Sequence, residues 1–278
     1  MLEMVHSALQ STLRCLDTIF GIPRPSKSIL KTLDEIKETA TAARNLYGQH
    51  KTYILDDGKS DEVMTLARKL KIGYIRRPTN EDAKAGNINY ALAQTSGDFF
   101  VILDADFVAN PFLLYETIPF FEDEKMSFVQ TPQHYHNEDS FVSIAAGYMQ
   151  HVFYSLVQAG KNRFNAAFCV GTNVVFRRRA IDSIGGMYSQ SKSEDIWTSL
   201  MLHEAGYRSI YLNKVMAVGK TPETLKAYSK QQLRWATGSF EIFLKQIAVQ
   251  WLGAVLSCFR VSCFHFVSCF FLMFYYIL

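Results

Sequence analysis

The chain has 278 residues, of which 49% are hydrophobic and 14% aromatic, and its formal net charge is +3. This composition permits one large or two small domains with a sizeable core, excludes a largely disordered chain, and gives no charge excess that would indicate nucleic-acid binding. The five cysteines include no Cys-x-x-Cys pair, so neither a zinc site nor a disulfide framework is indicated, and a reducing, cytosolic setting fits the polar part.

Short apolar runs alternate with helical periodicity along the chain, which is the pattern of an α/β fold. In chain order the pattern predicts a helix over 28–47, a strand over 52–55, a helix over 61–70, strands over 72–75 and 99–103 with a helix over 87–94 between them, a helix over 111–121, a strand over 128–130, a long helix over 141–157, a strand over 168–176, a helix over 196–204, a strand over 208–212 and a last helix from 221. Thr221 as cap, Pro222 and Glu223 mark the start of that last helix.

Two acidic pairs each follow an apolar strand directly: Asp56-Asp57, and Asp104 with Asp106. In open α/β sheets ligands bind outside the carboxyl ends of the strands, so we expect the two pairs to meet in one crevice. Carboxylates one residue apart can share Mg²⁺, which prefers oxygen ligands and bridges them to substrate phosphates. A simple turn is the alternative for either pair.

Ser193-Glu194-Asp195 precedes the helix predicted over 196–204. Ser193 is expected to cap this helix, and acids are favoured there by the helix dipole. The same position would keep a carboxylate ionised near neutral pH, ready to accept a proton from a bound hydroxyl. The spacing alone does not separate a helix start from a catalytic base.

Three further segments carry weaker indications. Lys84, before Ala85-Gly86-Asn87, could contact a phosphate at a helix start. Gly171 lies inside the strand predicted over 168–176, between Cys169 and Thr172, and such a glycine often marks the close approach of a ligand. His134 and His136 have metal-like spacing, but no further ligand at fixed spacing accompanies them, so a solvated loop is favoured.

Gln231, Arg234 and Trp235 share one face of the last predicted helix. An arginine can bind phosphate oxygens with two hydrogen bonds, and an indole offers a flat apolar face on which a sugar ring can stack. This combination fits a helix that closes over the pyrophosphate of a nucleotide sugar. For an arbitrary helix, a core tryptophan next to a surface arginine would be the simpler interpretation.

The C-terminal segment 261–278, VSCFHFVSCFFLMFYYIL, is apolar and ends in aromatic residues that suit a membrane interface. We predict two parts: a catalytic domain over 1–240 and a helical tail over 241–278 that lies in or across a membrane. A buried core helix or a non-native tail is the alternative. We also expect the chain to be a piece of a longer membrane protein.

Taken in order, these motifs resemble the D, DxD, TED and QxxRW signature of processive family 2 glycosyltransferases, in particular cellulose synthase catalytic subunits. The resemblance covers about residues 28–241 and rests on Asp56-Asp57-Gly58, Lys84-Ala85-Gly86-Asn87, Asp104-Ala105-Asp106, Ser193-Glu194-Asp195 and Gln231-x-x-Arg234-Trp235. Each motif is common alone, whereas the ordered set is specific.

The resemblance implies a GT-A fold, inverting transfer of glucose from UDP-glucose to the end of a β-glycan, and Mg²⁺ or Mn²⁺ as the metal. It implies Asp195 as the general base with Glu194 beside it, and Asp104 and Asp106 as metal ligands. The implied UDP-sugar contacts are Asp56, Asp57, Lys84, Asp104, Gln231, Arg234 and Trp235, and the implied acceptor contacts are Cys169, Gly171, Thr172 and Trp235. It further implies membrane association, a catalytic domain facing the cytoplasm, and accessory synthase subunits as possible partners.

The chain departs from the family pattern at three places. Ser193 replaces a threonine, Phe107 stands where bacterial cellulose synthases often have a histidine, and residues 16–26 contain no Tyr-Asn-Glu segment. A strand around 18–22 is still expected. Three alternatives therefore remain: a synthase of another polysaccharide such as a β-1,3-glucan, chitin or a mannan; a truncated protein that binds a nucleotide sugar without turnover; and a Mg²⁺-dependent phosphohydrolase.

Overall fold

Ten strands form two sheets in the part of the chain that the structure, a computed structural model, describes: residues 16–22, 29–137 and 139–251. The strands are β1 (Leu16–Ile22), β2 (Lys51–Asp56), β3 (Gly73–Ile75), β4 (Phe99–Asp104), β5 (Val108–Ala109), β6 (Met126–Gln130), β7 (His134–Tyr135), β8 (Val174–Arg177), β9 (Arg208–Tyr211) and β10 (Ala217–Gly219). The large sheet has the order β3-β2-β1-β4-β8-β6-β9, and the small one β5-β10-β7.

The helices connect and cover these strands. They are α1 (Ile29–Arg44), α2 (Asp61–Leu70), α3 (Ala83–Leu92), α4 (Leu113–Thr117), α5 (Phe141–Val152), α6 (Ala159–Asn162), α7 (Arg178–Ser183), α8 (Glu194–Glu204) and α9 (Leu225–Trp251). A 3₁₀ turn over Ile118–Glu122 follows α4, and a π-helical turn over Phe153–Gln158 joins α5 to α6.

The first four strands of the large sheet are parallel and set the position of the site. β1 lies between β2 and β4 in parallel register, and β2 pairs in parallel with β3. Their carboxyl ends therefore lie at one edge, where Asp56 and Asp104 are the last strand residues. The strand expected around 18–22 is confirmed, because β1 forms there.

The two faces of the sheet are covered by separate apolar clusters. Along β4, Val101 and Leu103 join the cluster beneath α1 and α2, whereas Phe100 and Ile102 join the cluster beneath α3. This alternation is the period of two that a strand imposes on its side chains. Burial on both faces explains why β4 reads as an unbroken apolar run.

Several predicted elements need correction. The strand predicted over 168–176 is only Val174–Arg177, because Gly171 (φ +84°) and Asn173 (φ +56°) have left-handed backbone that an extended strand does not contain. The last helix begins at Leu225, so Thr221 is not its cap; Thr221 instead donates its backbone N–H to Asn137 Oδ1 at 2.7 Å.

The predicted boundary near residue 240 falls inside α9, which continues to Trp251. Within the described residues, no helix combines the length and the apolar character needed to cross a bilayer. The apolar segment 261–278, predicted to associate with a membrane, lies outside the described residues.

Phe107 is a core residue of the small sheet. Its ring is buried and meets Tyr135 edge to face with centroids 5.8 Å apart, and a Cβ on Gly219 would lie 2.7 Å from it. Because the ring fills this contact, it points into apolar packing, where an aromatic side chain gains most of its stabilisation. Packing in the core therefore accounts for a phenylalanine at position 107.

Candidate active site

Asp57, directly after β2, forms a buried ion pair with Arg77. Arg77 donates from Nε to Asp57 Oδ1 at 2.6 Å and from Nη2 to Oδ2 at 2.7 Å, and the two side chains are 5% and 13% exposed. Arg77 also donates to the carbonyls of Glu81 and Ala83, the latter at 2.7 Å. This two-pronged pair ties the end of β2 to the loop that enters α3, and Arg77 was not found from the sequence.

Asp56 has a structural role. Its carboxylate accepts hydrogen bonds from the backbone N–H groups of Lys59 and Ser60, at 2.9 and 2.8 Å, and from the Tyr74 hydroxyl at 2.7 Å. The side chain is 1% exposed. Both oxygen atoms of Asp56 are thus engaged in holding the turn, and its predicted contact with a UDP-sugar stays a prediction.

Lys84 joins the ends of two distant segments. Its Nζ forms an ion pair with Asp104 Oδ1 at the end of β4 and donates to the Gly171 carbonyl at 2.7 Å. Asp104 is fixed further by Thr172, whose Oγ1 accepts the Asp104 backbone N–H at 2.8 Å. Lys84, Asp104 and the turn at Gly171, which the sequence placed in separate motifs, therefore lie together.

Asp104 and Asp106 fit a divalent cation. The pKa of Asp106 is raised to about 6, first because the surrounding protein partly desolvates its carboxylate, and then because Asp104 repels its charge. A hard cation would remove this repulsion. Within the described residues no group of three or more His, Cys, Asp or Glu side chains is arranged to hold a metal.

Asp195 is the second residue of α8, and its carboxylate faces Gly171. A Cβ on Gly171 would lie 3.2 Å from Asp195 Oδ2 and 3.5 Å from Lys84 Nζ. Asp195 Oδ1 accepts the backbone N–H of Ile196 at 2.8 Å. The site therefore brings the predicted base within the same cluster as Lys84 and Asp104.

The pKa of Asp195 is raised to about 7. Burial is the largest cause and the neighbouring Glu194 carboxylate the next, whereas the Ile196 N–H and the Lys84 ammonium oppose the rise. The sequence analysis predicted that the start of a helix would keep this carboxylate ionised at neutral pH. A pKa of about 7 means that it is only partly ionised there. A carboxylate that titrates near 7 is instead matched to proton transfer at neutral pH.

Ser193 occupies the N-cap position of α8, but its side chain makes no capping hydrogen bond. Its hydroxyl is turned towards Gly238 of α9, where a Cβ would overlap Ser193 Oγ. The predicted cap is therefore wrong, and Ser193 instead forms the contact between α8 and α9.

Cys169 and Thr172 support the turn at Gly171 from behind. Both are fully buried, Cys169 donates its backbone N–H to Ser199 Oγ at 2.8 Å, and Cys169 Sγ accepts the Gly171 N–H at 3.2 Å. Burial raises the pKa of the Cys169 thiol well above its usual value. The predicted acceptor contacts of these two side chains are not compatible with their burial, and the backbone of Gly171 is the part that faces Asp195.

Gln130, at the end of β6, holds the same turn and was missed by the sequence analysis. Its Nε2 donates to the Thr172 carbonyl at 2.8 Å, and its Oε1 accepts the Val170 N–H at 3.0 Å. The side chain is fully buried. Because it satisfies backbone groups on both sides of Gly171, Gln130 fixes the irregular segment that replaces the predicted strand.

The helix with Gln231, Arg234 and Trp235 touches the segment before Asp195. Gly238, which packs against Ser193, lies three and four residues after Trp235 and Arg234 and therefore on their face of α9. Arg234 is exposed, and Gln231 and Trp235 are half-buried. Gln231, Arg234 and Trp235 therefore lie within about two helical turns, roughly 10 Å along α9, of the contact between Gly238 and Ser193.

The sequence profile described as "Glycosyltransferase like family 2" matches residues 25–238. The chain is 39% identical over 199 residues to "Cellulose synthase 1" of Komagataeibacter xylinus, covering 69% of this chain and 13% of that protein. It is 36% identical over 199 residues to the "Cellulose synthase catalytic subunit [UDP-forming]" of Pseudomonas fluorescens, covering 69% of this chain and 27% of that protein. The matched region thus spans about a quarter or less of these relatives.

Solved structures with low sequence identity share the fold. A mannosyltransferase from Pyrobaculum calidifontis in complex with GDP-Man and Mn²⁺ superposes with a TM-score of 0.70 at 16% identity, covering 94% of this chain and 72% of that one. The Staphylococcus aureus protein TarS, residues 1–349 in complex with UDP-GlcNAc, superposes with a TM-score of 0.58 at 14% identity, covering 92% and 72%. The predicted GT-A fold is confirmed by these similarities.

Proposed function

The chain belongs to glycosyltransferase family 2, and we propose that it transfers glucose from UDP-glucose to the end of a β-glycan with inversion at the anomeric carbon. The observation that carries this proposal is the cluster of Lys84, Asp104, Gly171 and Asp195, which joins an acidic strand end, a lysine and a carboxylate of near-neutral pKa. Similarity to UDP-forming cellulose synthases supports the choice of donor and acceptor.

In the proposed step Asp195 is the general base. Its ionised carboxylate accepts the proton of an acceptor hydroxyl while that oxygen forms a bond to the anomeric carbon of the donor. The bond from this carbon to the β-phosphate oxygen breaks, and UDP leaves with the electron pair. The raised pKa supports this role, because a base that titrates near the working pH combines a useful ionised fraction with proton affinity.

The donor would lie along the carboxyl ends of β2 and β4. Asp57, held by Arg77, would be the first protein group at the nucleotide end, and Lys84 offers a positive charge beside Asp104 for a diphosphate. Asp104 and Asp106 would hold Mg²⁺ or Mn²⁺, which supplies positive charge to the diphosphate as it departs. Arg234 and Gln231, on the face of α9 that meets the Asp195 segment, would bind the pyrophosphate, and Trp235 the acceptor sugar.

A donor panel tests this proposal. The purified chain is incubated with UDP-glucose, UDP-GlcNAc, UDP-galactose or GDP-mannose, with Mg²⁺ or Mn²⁺ and β-glucan oligosaccharides, and released nucleotide and product linkages are measured. We expect product from UDP-glucose. Product from another donor would show that UDP-glucose is not the substrate. Nucleotide binding without transfer or hydrolysis would support a nucleotide-sugar-binding protein without turnover. In a separate reaction, phosphate release from a simple phosphomonoester would support a phosphohydrolase.

We also propose that the catalytic domain works at a membrane surface. Phe141, Ile144, Tyr148, Val152 and Leu156 are exposed at spacings of three or four residues along α5 and the π turn, with Phe141 85% exposed. Leu233, Phe240 and Leu244 are exposed on α9, whose sequence continues into the apolar segment 261–278. Such patches mark interaction surfaces, and the apolar sequence of residues 261–278 favours a lipid bilayer over a protein.

Vesicle binding tests the membrane proposal. Cosedimentation with phosphatidylcholine–phosphatidylglycerol vesicles should fall when Tyr148 and Leu156 are changed to serine together. The control changes Tyr47 to serine; this side chain is also exposed, but it packs against Phe112 and lies outside α5 and the π turn. Equal vesicle binding by both variants would contradict this role for the exposed apolar residues of α5 and the π turn.

A further inference from the structure

Gly238 lets α9 approach Ser193, two residues before Asp195, more closely than any other residue type would allow. A Cβ at this position would overlap Ser193 Oγ and lie 2.9 Å from Ser193 Cβ. Both residues are buried. Side-chain atoms essentially never approach this closely, so alanine at 238 would force α9 and Ser193 apart.

Two other glycines in helical segments, Gly147 in α5 and Gly160 in α6, meet no such contact, whereas Gly86 in α3 packs closely against Glu81 and Arg77. A Cβ on Gly147 or on Gly160 would have no neighbour within 4 Å. Glycine inside a helix costs about 1 kcal/mol relative to alanine, so it is retained where close packing requires it. This comparison separates Gly238 from a glycine that is merely tolerated.

A hydrogen-bond chain holds the same contact one turn further along α9. The Ser193 backbone N–H donates to Ser191 Oγ at 3.2 Å, and the Ser191 hydroxyl donates to Glu241 Oε2 at 3.0 Å. Gly238 and Glu241 are three residues apart and share one face of the helix. The segment 191–193 is therefore fixed to α9 by close packing and by hydrogen bonds, immediately before Glu194 and Asp195.

We propose that Gly238 is a positioning residue, which holds the helix carrying Arg234 and Trp235 at a fixed separation from the general base Asp195. The inference rests on the proposed function, in which Asp195 takes the acceptor proton and Arg234 binds the departing diphosphate. Because the contact lies between these two groups, a shift at Gly238 changes their relative position without removing either side chain. Gly238 acts through them and does not itself touch the substrate.

The test uses four variants of the full chain: Gly238→Ala, the double variant Gly238→Ala/Ser193→Gly, Ser193→Gly alone and the control Gly147→Ala. Gly238→Ala should lower kcat for transfer roughly 10- to 100-fold, the effect of displacing catalytic groups by about 1 Å. Calorimetric affinity for UDP should fall by a smaller factor than kcat, because the groups at β2 and β4 are unchanged and only the contacts from α9 shift. Ser193→Gly removes both clashing atoms and should restore kcat in the double variant, and Gly147→Ala should leave it unchanged.

Hydrogen exchange gives a readout that does not depend on activity. Amides over 191–196 should exchange faster in Gly238→Ala than in wild type or Gly147→Ala, and Ser193→Gly should reverse this effect. Unchanged exchange, or a kcat loss that Ser193→Gly does not repair, would overturn the inference. A wild-type chain without transfer activity would contradict the proposed function, while the exchange comparison would still decide whether the contact positions this segment.

Discussion

The Asp195 carboxylate lies directly against Gly171: a Cβ on Gly171 would be 3.2 Å from Asp195 Oδ2, and the glycine has φ +84°. The two residues are brought together from the segment before β8 and the start of α8, while Lys84 donates to the Gly171 carbonyl from α3. A side chain at 171 would therefore meet both the base and the lysine.

Gly171→Ala should lower kcat about tenfold or more, because the added methyl displaces Asp195. Gly206→Ala is the matched control: Gly206 also has φ +84°, but a Cβ there would have no neighbour within 4 Å. Both variants should lose about 1–2 kcal/mol of folding free energy from left-handed backbone. Steady-state kinetics and chemical denaturation separate the two effects, and equal kcat values for the two variants would refute the contact with Asp195.

Asp195→Asn should abolish transfer, with a loss of at least about 10²-fold, since the amide cannot accept the acceptor proton. UDP binding should be nearly unchanged. The raised pKa means that ionising Asp195 at pH 8 costs stability in the native state, so the variant should also have a Tm higher by about 2 °C or more. Normal turnover by Asp195→Asn would show that another group is the base.

Activity should rise with pH through about 7, as Asp195 becomes ionised. The charged groups that act on it have opposite signs: Glu194 raises its pKa, and Lys84 lowers it. Lys84→Met should move the acidic limb of the kcat profile to higher pH, and Glu194→Gln should move it to lower pH. Shifts in the same direction for both variants would contradict the assignment of this limb to Asp195.

The Asp57–Arg77 pair should contribute to stability through its burial. Asp57→Ala leaves Arg77, 5% exposed, without its carboxylate and should lower the free energy of unfolding by about 3–5 kcal/mol. Asp61→Ala breaks the Arg76–Asp61 pair, in which Asp61 is 82% exposed, and should cost less than about 1 kcal/mol. Urea denaturation measures both values, and a similar cost for the two variants would show that the Asp57–Arg77 pair is not specially important.

The sequence predicted the residues at the ends of the strands well. Asp57 and Asp104 follow apolar runs that form β2 and β4, and parallel pairing through β1 brings these ends to one edge. Apolar runs and acidic residues are local features, and the rule for open α/β sheets converts them into a common location. The position of Asp195 could also be predicted from local sequence, because the helical periodicity of residues 196–204 places it at the start of a helix.

The supporting residues could not be predicted in this way. Gln130 acts on Val170 and Thr172, about forty positions later, and Arg77 acts on Asp57 from the loop after β3. Such roles depend on which segments the fold brings together, which neither periodicity nor spacing contains. The strand predicted over 168–176 was too long for a related reason: only Val174–Arg177 is a strand, and an apolar run does not reveal the left-handed backbone at Gly171 and Asn173.

We propose that Asp57, Asp104, Asp106 and Asp195 surround one nucleotide sugar. A crystal structure of the chain with UDP and Mn²⁺, with anomalous scattering to locate the metal, decides whether they do. We expect a manganese peak bound by Asp104 and Asp106, the diphosphate beside Lys84, and Asp195 facing the space left for the sugar. Manganese and UDP bound at a different surface, away from these carboxylates, would contradict it.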